Sequence, residues 1–284
     1  MLIGVTGALG LLGAAVAREA LERGHDVVAI DRRPGDGVTQ ADITDLGAIT
    51  EAFAGLDAVV HTASLIDLHL GEPAALDRVN VDGAKNVVAA CRSNGITRLV
   101  HMSSAEVICG AEPVRGLTEQ QASYPTTHLT HYGVTKQRGE EVVLNAADDQ
   151  LGTCVMRTFG LFGPGDNTVV PLFLKAMPGR RQMFLGDLSA KTDVVFAPNL
   201  AHAMVLAAEQ LEPGIEWSGT PSALDQRLLA QRRQGPFGAR LRAQVRTSRC
   251  HCAHPRLAGC GARLMQSIDF WTNSTDDVAI EHMF

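Results

Sequence analysis

Short apolar runs alternate with stretches of helical periodicity along most of the chain. The first run, at residues 2–6, has the length of one buried strand, and the apolar positions at 12–23 repeat at the spacing of a helix face. Gly24 stands where that helix would end, and a second apolar run follows at 26–30. These residues predict a β-α-β unit of about 30 residues.

The same alternation continues further along the chain. It predicts helices at 48–54, 74–93 and 131–145 and strands at 57–61, 98–102 and 153–157. Strands that alternate with helices form parallel sheets with right-handed crossovers. The predicted fold class is therefore α/β, with a Rossmann-like, doubly wound parallel sheet in a domain of residues 1–211 that also holds the catalytic residues.

The pattern changes in two later stretches. Residues 160–186 are rich in glycine and proline, so the chain is expected to leave the main sheet there. Residues 212–284 form an atypical C-terminal segment, in which positions 214–263 carry nine arginines but only two acids. This composition is typical either of a GC-rich gene read out of frame or of a divergent basic lobe. A small substrate lobe, truncated or aberrant, is predicted there, and no function is assigned to it.

The net charge and the apolar runs of the sequence limit the kinds of molecule that the protein is expected to bind. The 284 residues carry a formal net charge of −6, which disfavours general binding to nucleic acid or to an anionic membrane surface. The sequence contains no apolar run of ~18 residues and no secretory leader pattern, so a cytoplasmic protein without a membrane span is predicted. The six cysteines are expected to be free thiols.

A glycine-rich loop lies between the first predicted strand and helix, with Gly7, Gly10 and Gly13 at three-residue intervals and Leu9 and Leu11 between them. Glycine allows a backbone to approach a diphosphate closely, and a helix N-terminus adds N–H donors and partial positive charge. The loop therefore predicts a dinucleotide site.

The end of the second strand bears on which dinucleotide binds. The carboxylate of Asp31 can accept hydrogen bonds from a ribose 2′-hydroxyl and would repel a 2′-phosphate, so NAD is favoured over NADP. The adjacent Arg32 and Arg33 could accept a phosphate. Asp42, with Ile43 beside it, is expected either to bind the adenine amino group or to cap the helix that follows.

Small and polar residues follow the later strands, at the edge where the cofactor is expected. These are Thr62, Ala63, Ser64, Ser103 and Ser104. The first three would let the backbone approach the cofactor. Ser103 is expected to contact the cofactor and Ser104 the substrate, while a residue of the intervening helix, Asn80, is expected to anchor a water molecule or a backbone group.

Tyr132 and Lys136 are four residues apart and share one face of a predicted helix. A tyrosine phenol with a pKa near ~10 is a poor base at neutral pH. A nearby ammonium is expected to lower that pKa, while a serine hydroxyl holds the substrate oxygen. This arrangement predicts general acid–base catalysis coupled to hydride transfer.

At this point the chain resembles the extended short-chain dehydrogenases/reductases, and within them the 3β-hydroxysteroid dehydrogenase-like branch. The resemblance rests on VTGALGLLG at 5–13, VNVDGAKNVV at 79–88, VHMSSAEV at 100–107, THYGVTK at 130–136, MRTFGLFGPGD at 156–166 and KTDVVF at 191–196. Two departures stand out. Thr158 replaces a usual proline, and the resemblance ends near Leu211.

The resemblance implies roles for particular residues. Tyr132 would be the acid/base, Lys136 its activator and Ser104 the partner of the substrate oxygen, with Phe159 in the segment that flanks nicotinamide. The implied reaction interconverts a hydrophobic secondary alcohol, such as a 3β-hydroxysteroid, and a ketone with NAD. The alternatives are a nucleotide-sugar epimerase or dehydratase and an inactive NAD-binding module. The helices at 74–93 and 131–145 are candidates for a homodimer contact.

No metal site is predicted. Five C-terminal cysteines and histidines superficially resemble a zinc ligand set: Cys250, His251, Cys252, His254 and Cys260. The spacing of the first two cysteines is too tight for the usual zinc knuckle.

Overall fold

The structure is a computed structural model that describes residues 1–66, 72–111, 117–118, 121–167 and 194–219. Every described helix and strand belongs to one unit of the chain, made of residues 1–173 and 194–226. The predicted C-terminal lobe lies almost wholly outside the described residues.

The strands of the described residues form two sheets. In chain order they are β1 (Leu2–Thr6), β2 (Asp26–Asp31), β3 (Val38–Gln40), β4 (Ala58–His61), β5 (Arg98–Met102), β6 (Gly152–Met156), β7 (Gly160–Phe162), β8 (Val194–Phe196) and β9 (Glu216–Gly219). The main sheet has the order β3-β2-β1-β4-β5-β6-β9, and all of its strand pairs are parallel. Strands β7 and β8 form a separate parallel pair. The predicted doubly wound parallel sheet is confirmed.

The described α-helices are α1 (Leu11–Glu22), α2 (Leu46–Ala52), α3 (Pro73–Leu76), α4 (Gly83–Ser93), α5 (His131–Leu144) and α6 (Ala197–Gln210). A π-helical turn, Asp77–Asp82, joins α3 to α4, so the helix predicted at 74–93 is one helical stretch with a wider turn inside it. A short 3₁₀-helix, Ala105–Ile108, follows β5.

Helices cover both faces of the main sheet. Helices α1 and α6 pack against each other, while α4 packs between α2 and α5. Phe53, Val87 and Leu99 belong to a buried cluster between these last three helices and the sheet. Val100, the next residue of β5, is fully buried outside that cluster. Because successive side chains of a strand point to opposite faces, the central strands are buried on both sides.

The seventh strand of the main sheet was not expected. No strand was predicted in the C-terminal segment 212–284, but β9 pairs with β6 through Thr153↔Glu216 and Cys154↔Trp217. Trp217 is 6% exposed. The expectation of no strand is therefore wrong for residues 216–219.

The order of the strands reverses direction at β1, and the side of interest is the one where the strands have their carboxyl ends. From β1 the chain first builds outward to β2 and β3, and then crosses to β4 and builds the other way. The register pairs Thr6 with both Ile30 and His61, so the carboxyl ends of these strands lie level with one another. A reversal of strand order at such an edge is where doubly wound sheets bind ligands.

Candidate functional site

The glycine-rich loop leaves β1 at this edge and its glycines are needed for packing. Gly7 has a φ of 72°, and a Cβ there would lie 2.9 Å from the backbone of Ala63. A Cβ on Gly13 would lie 2.1 Å from the carbonyl oxygen of Gly7. The loop is therefore closed tightly against both the start of α1 and the chain that follows β4.

The first turn of α1 points its N–H groups toward the same edge. Its N-cap residue, Gly10, offers no side-chain hydrogen bond to these donors. Leu9, just before it, has a side chain that is 40% exposed, and Leu11 begins the helix. Uncapped N–H groups at the start of a 12-residue helix fit a bound diphosphate.

Asp31 ends β2 beside the loop and is 6% exposed. Its carboxylate accepts hydrogen bonds from the backbone N–H groups of Leu9 and Arg33, both at 3.0 Å, and from Arg33 Nε at 3.1 Å. Burial opposes ionisation, but the hydrogen bonds from Arg33 and Leu9 outweigh it and lower the pKa of Asp31. A carboxylate in this position fits a ribose diol and disfavours a second phosphate.

The neighbouring residues of this predicted site have other contacts. Arg33 is held by Asp31, and the carbonyl oxygen of Arg32 accepts a hydrogen bond from Gln40 Nε2 at 3.1 Å. The Asp42 side chain accepts hydrogen bonds from the N–H and hydroxyl of Thr44, both at 2.9 Å.

The helix-capping alternative for Asp42 is wrong. Helix α2 is capped instead by Asp45, whose side chain accepts from Ala48 N, because the chain turns once more before the helix starts. Ile43 is 5% exposed, and its carbonyl oxygen accepts a hydrogen bond from Asn86 at 2.9 Å. A cofactor contact by Asp42 or Ile43 stays a prediction.

The chain after β4 is bound to the end of β1. The hydroxyl of Thr62 donates to the carbonyl oxygen of Thr6 at 2.7 Å, and Ala63 N donates to the Thr6 hydroxyl at 3.4 Å. Ser64 is exposed beyond them. The backbone of residues 62–64 therefore passes close to the glycine-rich loop, as expected of a segment that lies against a cofactor.

Asn80, in the π-helical turn, anchors the backbone just after this segment. Its Oδ1 accepts from Leu65 N and its Nδ2 donates to Leu65 O, both at 2.9 Å. Nδ2 also lies 3.2 Å from Thr135 Oγ1 on α5. Asn80 thus links the cofactor edge to the helix that carries the predicted catalytic residues.

The three predicted catalytic side chains come together between β5 and α5. Thr130 caps α5 through Gly133 N at 3.0 Å, so Tyr132 lies in the first turn and Lys136 one turn later. Tyr132 is 7% exposed, and the side chain of Ser104, which follows β5, lies close enough to affect the pKa of its phenol. Lys136 is 2% exposed and donates to the carbonyl oxygen of Met102 at 2.7 Å.

The pKa of Tyr132 differs from the expected one. Burial raises the pKa of Tyr132 to about 12, although the hydrogen bond with Ser104 lowers it and the charge of Glu106 raises it. The expected lowering by Lys136 is not found: Lys136 is not among the groups that shift this pKa, and its ammonium donates to the Met102 carbonyl.

The charge of Lys136 is itself sensitive to its surroundings. Burial lowers the pKa of Lys136 to about 8, while Glu140, one helical turn further along α5, raises it. The side chain therefore remains an ammonium at neutral pH, next to a phenol that is protonated at the same pH.

Ser103 and Phe159 flank the catalytic group. Ser103 is 2% exposed, and its hydroxyl has no hydrogen-bond partner among the described residues. A buried hydroxyl in this state fits a polar group of a bound ligand. Phe159 follows Thr158, whose carbonyl oxygen accepts from Ala105 N at 2.9 Å and so ties the end of β6 to the chain after Ser104.

Two sets of buried polar residues near the site were missed from the sequence. One is a pair of histidines, His61 and His101, whose ring centroids are 4.9 Å apart. The other joins Glu140 on α5, Arg157 after β6 and Tyr124 in the loop before α5. The one sequence signal for the second set is an acidic residue placed four positions after Lys136.

Within the described ranges, no group of three or more His, Cys, Asp or Glu side chains is arranged to hold a metal ion. None of the described helices is both long and apolar enough to cross a membrane. The C-terminal cysteines and histidines lie outside the described residues.

Known proteins share this sequence and fold. The model of a family described as the NAD dependent epimerase/dehydratase family matches residues 3–217. A 2-alkyl-3-oxoalkanoate reductase of Stenotrophomonas maltophilia (strain K279a) is 37% identical over 77% of this chain and 68% of its own length. A 3-beta-hydroxysteroid dehydrogenase of Mycolicibacterium neoaurum is 33% identical over 74% of this chain and 61% of its own length.

A solved structure shares the fold. MoeE5 in complex with UDP-glucuronic acid and NAD has a TM-score of 0.65 and 26% sequence identity, with 77% of this chain and 74% of that chain covered. This chain spans about three fifths of the length of the hydroxysteroid dehydrogenase that it matches.

Proposed function

The chain belongs to the NAD dependent epimerase/dehydratase family, and from that premise we propose that it interconverts a secondary alcohol and a ketone by hydride transfer with NAD. The resemblance and the cofactor predicted from the sequence are confirmed at the level of this family. The reaction and the roles of individual residues are the proposal.

The nearness of the Ser104 and Tyr132 side chains carries this proposal: Ser104 is close enough to affect the pKa of the phenol. A protonated phenol and a serine hydroxyl placed side by side can both donate to a single substrate oxygen. In reduction, Tyr132 gives its proton to the ketone oxygen while Ser104 positions that oxygen. In oxidation, deprotonated Tyr132 takes the proton from the alcohol.

The residues around Ser104 and Tyr132 support both the reduction of the ketone and the oxidation of the alcohol. NAD supplies the hydride acceptor and its reduced form the hydride donor. Asp31 and the start of α1 would hold its ribose and diphosphate, and Ser103 offers a free buried hydroxyl beside the reaction centre. Because Lys136 does not lower the pKa of Tyr132 in the structure, its proposed role is a hydrogen bond from its ammonium to the nicotinamide ribose.

A hydrophobic substrate is favoured by the relatives. Two of them are named as a 2-alkyl-3-oxoalkanoate reductase and a 3-beta-hydroxysteroid dehydrogenase. Both names describe a hydroxyl or keto group on a largely apolar molecule. We infer a substrate of the same class, a 3β-hydroxysteroid or a similar alicyclic alcohol.

Tyr132→Phe tests the proposal. The variant lacks the phenolic proton but fills the same space, so we expect turnover of a 3β-hydroxysteroid with NAD to fall by roughly a thousandfold. NAD affinity, measured by fluorescence titration, should be nearly unchanged, which also serves as the control for folding. Turnover equal to that of the wild type would remove Tyr132 from the mechanism.

A nucleotide-sugar epimerase or dehydratase is the second candidate. It is favoured by the fold shared with MoeE5, a structure that contains UDP-glucuronic acid and NAD. Parallel assays with 3β-hydroxysteroids and with UDP-sugars separate the two. Tight NAD binding without turnover of either class would instead identify an inactive NAD-binding module.

A further inference from the structure

We propose that Tyr124, Glu140 and Arg157 form a positioning cluster, in which one buried carboxylate fixes the loop before α5 and the end of β6 onto the catalytic helix and so shapes the substrate side of the site. The inference rests on the proposed function, since positioning of a substrate requires that the site act on one.

The cluster is centred on Glu140, which is fully buried. Arg157 Nε lies 3.1 and 3.2 Å from its two carboxylate oxygens, and Arg157 Nη2 lies 2.5 Å from Oε1. The hydroxyl of Tyr124 donates to Oε1 at 2.8 Å. The guanidinium carbon of Arg157 also lies 5.4 Å from the centroid of the Tyr124 ring, within reach of a cation–π interaction.

The charge states of Arg157 and Tyr124 agree with these contacts. Burial favours a neutral Arg157, but its hydrogen bond to Glu140 outweighs burial and raises the pKa of Arg157. Burial, with the charge of Glu140 next, raises the pKa of Tyr124, so its phenol remains a hydrogen-bond donor. Arg157 therefore stays charged and Tyr124 stays neutral at ordinary pH.

Stability alone does not account for such a cluster. Burying two charges costs desolvation energy, and the attraction between the charges is often no larger than that cost. Apolar side chains of similar volume would therefore hold the fold equally well. The forked guanidinium, in contrast, fixes the angle and distance between two elements in a way that apolar side chains do not. The benefit of the cluster is geometric.

Of the three elements that meet at Glu140, one carries proposed reacting groups and another is bound to the segment that carries Ser104. Helix α5 carries Tyr132 and Lys136. The end of β6 is bound to the residue after Ser104 through the hydrogen bond from Ala105 N to Thr158 O, at 2.9 Å. A shift of Arg157 would therefore displace the segment that places the substrate oxygen.

The loop before α5 is fixed at both of its ends. A Cβ on Gly110 would lie 2.8 Å from Pro125 Cβ, which shows how closely this loop packs on the chain after Ser104. Tyr124 is the loop residue that reaches Glu140. The loop is thus fixed at one end by Tyr124 and at the other by Thr130, the cap of α5.

Tyr124→Phe is the sharpest test, because it removes one hydroxyl and keeps the ring over Arg157. We expect the KM for the alcohol or ketone to rise about tenfold, as for loss of a hydrogen bond to a charged group. We expect kcat to change less than about threefold and NAD affinity not to change. The matched control is Arg18→Gln on the exposed face of α1, which removes only an exposed ion pair with Glu22 and should leave both constants as in the wild type.

Hydrogen exchange gives an independent readout that needs no turnover. In Tyr124→Phe, amides of residues 121–130 should exchange about tenfold faster, while those of α1 exchange as in the wild type. Unchanged exchange together with unchanged KM would overturn the proposal. Faster exchange in α1 as well would show a general loss of stability and would also overturn it. If the wild type shows no turnover, the proposed reaction fails while the exchange result still decides whether the cluster fixes the loop.

Glu140→Gln adds a pH readout. The charge of Glu140 raises the pKa of Lys136, which burial lowers to about 8. The other titratable groups that face Lys136 are His61 and His101, and burial keeps both neutral. The alkaline fall in turnover should therefore move to lower pH in Glu140→Gln, by about one unit. Tyr124→Phe should leave it in place, and a shift in both variants or in neither would contradict the assigned role of Glu140.

Discussion

Two histidines near the carboxyl ends of β4 and β5 lie close enough to Lys136 for its charge to affect them. His61 and His101 are each 2% exposed. Nδ1 of His61 lies 2.7 Å from the hydroxyl of Thr6, whereas both ring nitrogens of His101 lack a partner among the described residues. Burial, with the charge of Lys136 next, lowers the pKa of His61 to about 3 and that of His101 well below its usual value. Both rings are therefore neutral where an ordinary histidine would titrate.

Acid should destabilise the protein through these rings, and His101→Leu tests this. Below pH ~6.5 the unfolded chain binds a proton at each histidine that the folded chain does not bind, so stability falls as pH falls toward the lowered folded-state pKa. Between pH 7.5 and 5, the wild type should lose about 2 kcal/mol more unfolding free energy than His101→Leu. Urea unfolding at the two pH values measures the difference, and equal losses would show that His101 does not titrate on unfolding.

Residues differ in how far their roles could be read from the sequence. Tyr132 and Lys136 are four residues apart on one helix, so their shared face follows from helical geometry alone. The Tyr124–Glu140–Arg157 cluster could not be predicted in the same way, because its members come from three separate elements. The raised pKa of Tyr132 could not be predicted either, because it depends on burial in the folded chain.

The element of most consequence for the site is the π-helical turn Asp77–Asp82. Such turns are rare and often mark functional positions. Its first residue, Asp77, accepts hydrogen bonds from His131 at 2.8 Å and from Arg138, both on α5. The turn also directs Asn80 at both backbone groups of Leu65. The turn therefore joins the backbone after β4 to helix α5, the two parts of the chain to which the proposed function assigns the cofactor and the reacting groups.

Asn80→Ala tests the function of this turn. The variant leaves Leu65 N without its acceptor, so we expect unfolding free energy to fall by about 1–3 kcal/mol. The backbone after β4 should lose its fixed position, and NAD affinity should fall about tenfold. Asn80→Asp keeps the acceptor but loses the donor, and its NAD affinity should lie between the two. Calorimetric titration with NAD measures each value; an affinity equal to the wild type's would show that Asn80 holds only the helix.

Among the elements, the edge strands escaped prediction while the central strands did not. The residues of β5 were predicted with their observed bounds, since Leu99 and Val100 belong to a run buried on both faces. Strands β3 and β9 form the two edges of the sheet. An edge strand has a neighbour on one side only and needs no continuous apolar run, so Val38–Gln40 and Glu216–Gly219 carry a weak pattern.

At the scale of the whole molecule, the sheet is completed by the last described residues. The chain from Leu211 to β9 is held by several hydrogen bonds: Arg98 Nε donates to Leu211 O at 2.7 Å, and Gly214 N donates to Asp148 O at 2.6 Å. Strand β9 then covers β6, all five residues of which are buried. The nucleotide-binding fold therefore extends past the boundary predicted at residue 211.

Two shortened chains test where this fold ends. A chain of residues 1–226 retains β9, and we expect it to bind NAD as the full chain does. A chain of residues 1–211 loses β9 and the buried Trp217, so its unfolding free energy should be about 3–5 kcal/mol lower, as for removal of a buried aromatic side chain. Its newly exposed β6 edge should also promote aggregation, because unpaired edge strands pair with other chains. Equal stability of the two chains in urea unfolding, with equal NAD affinity, would show that β9 adds nothing to the sheet and would restore residue 211 as the boundary.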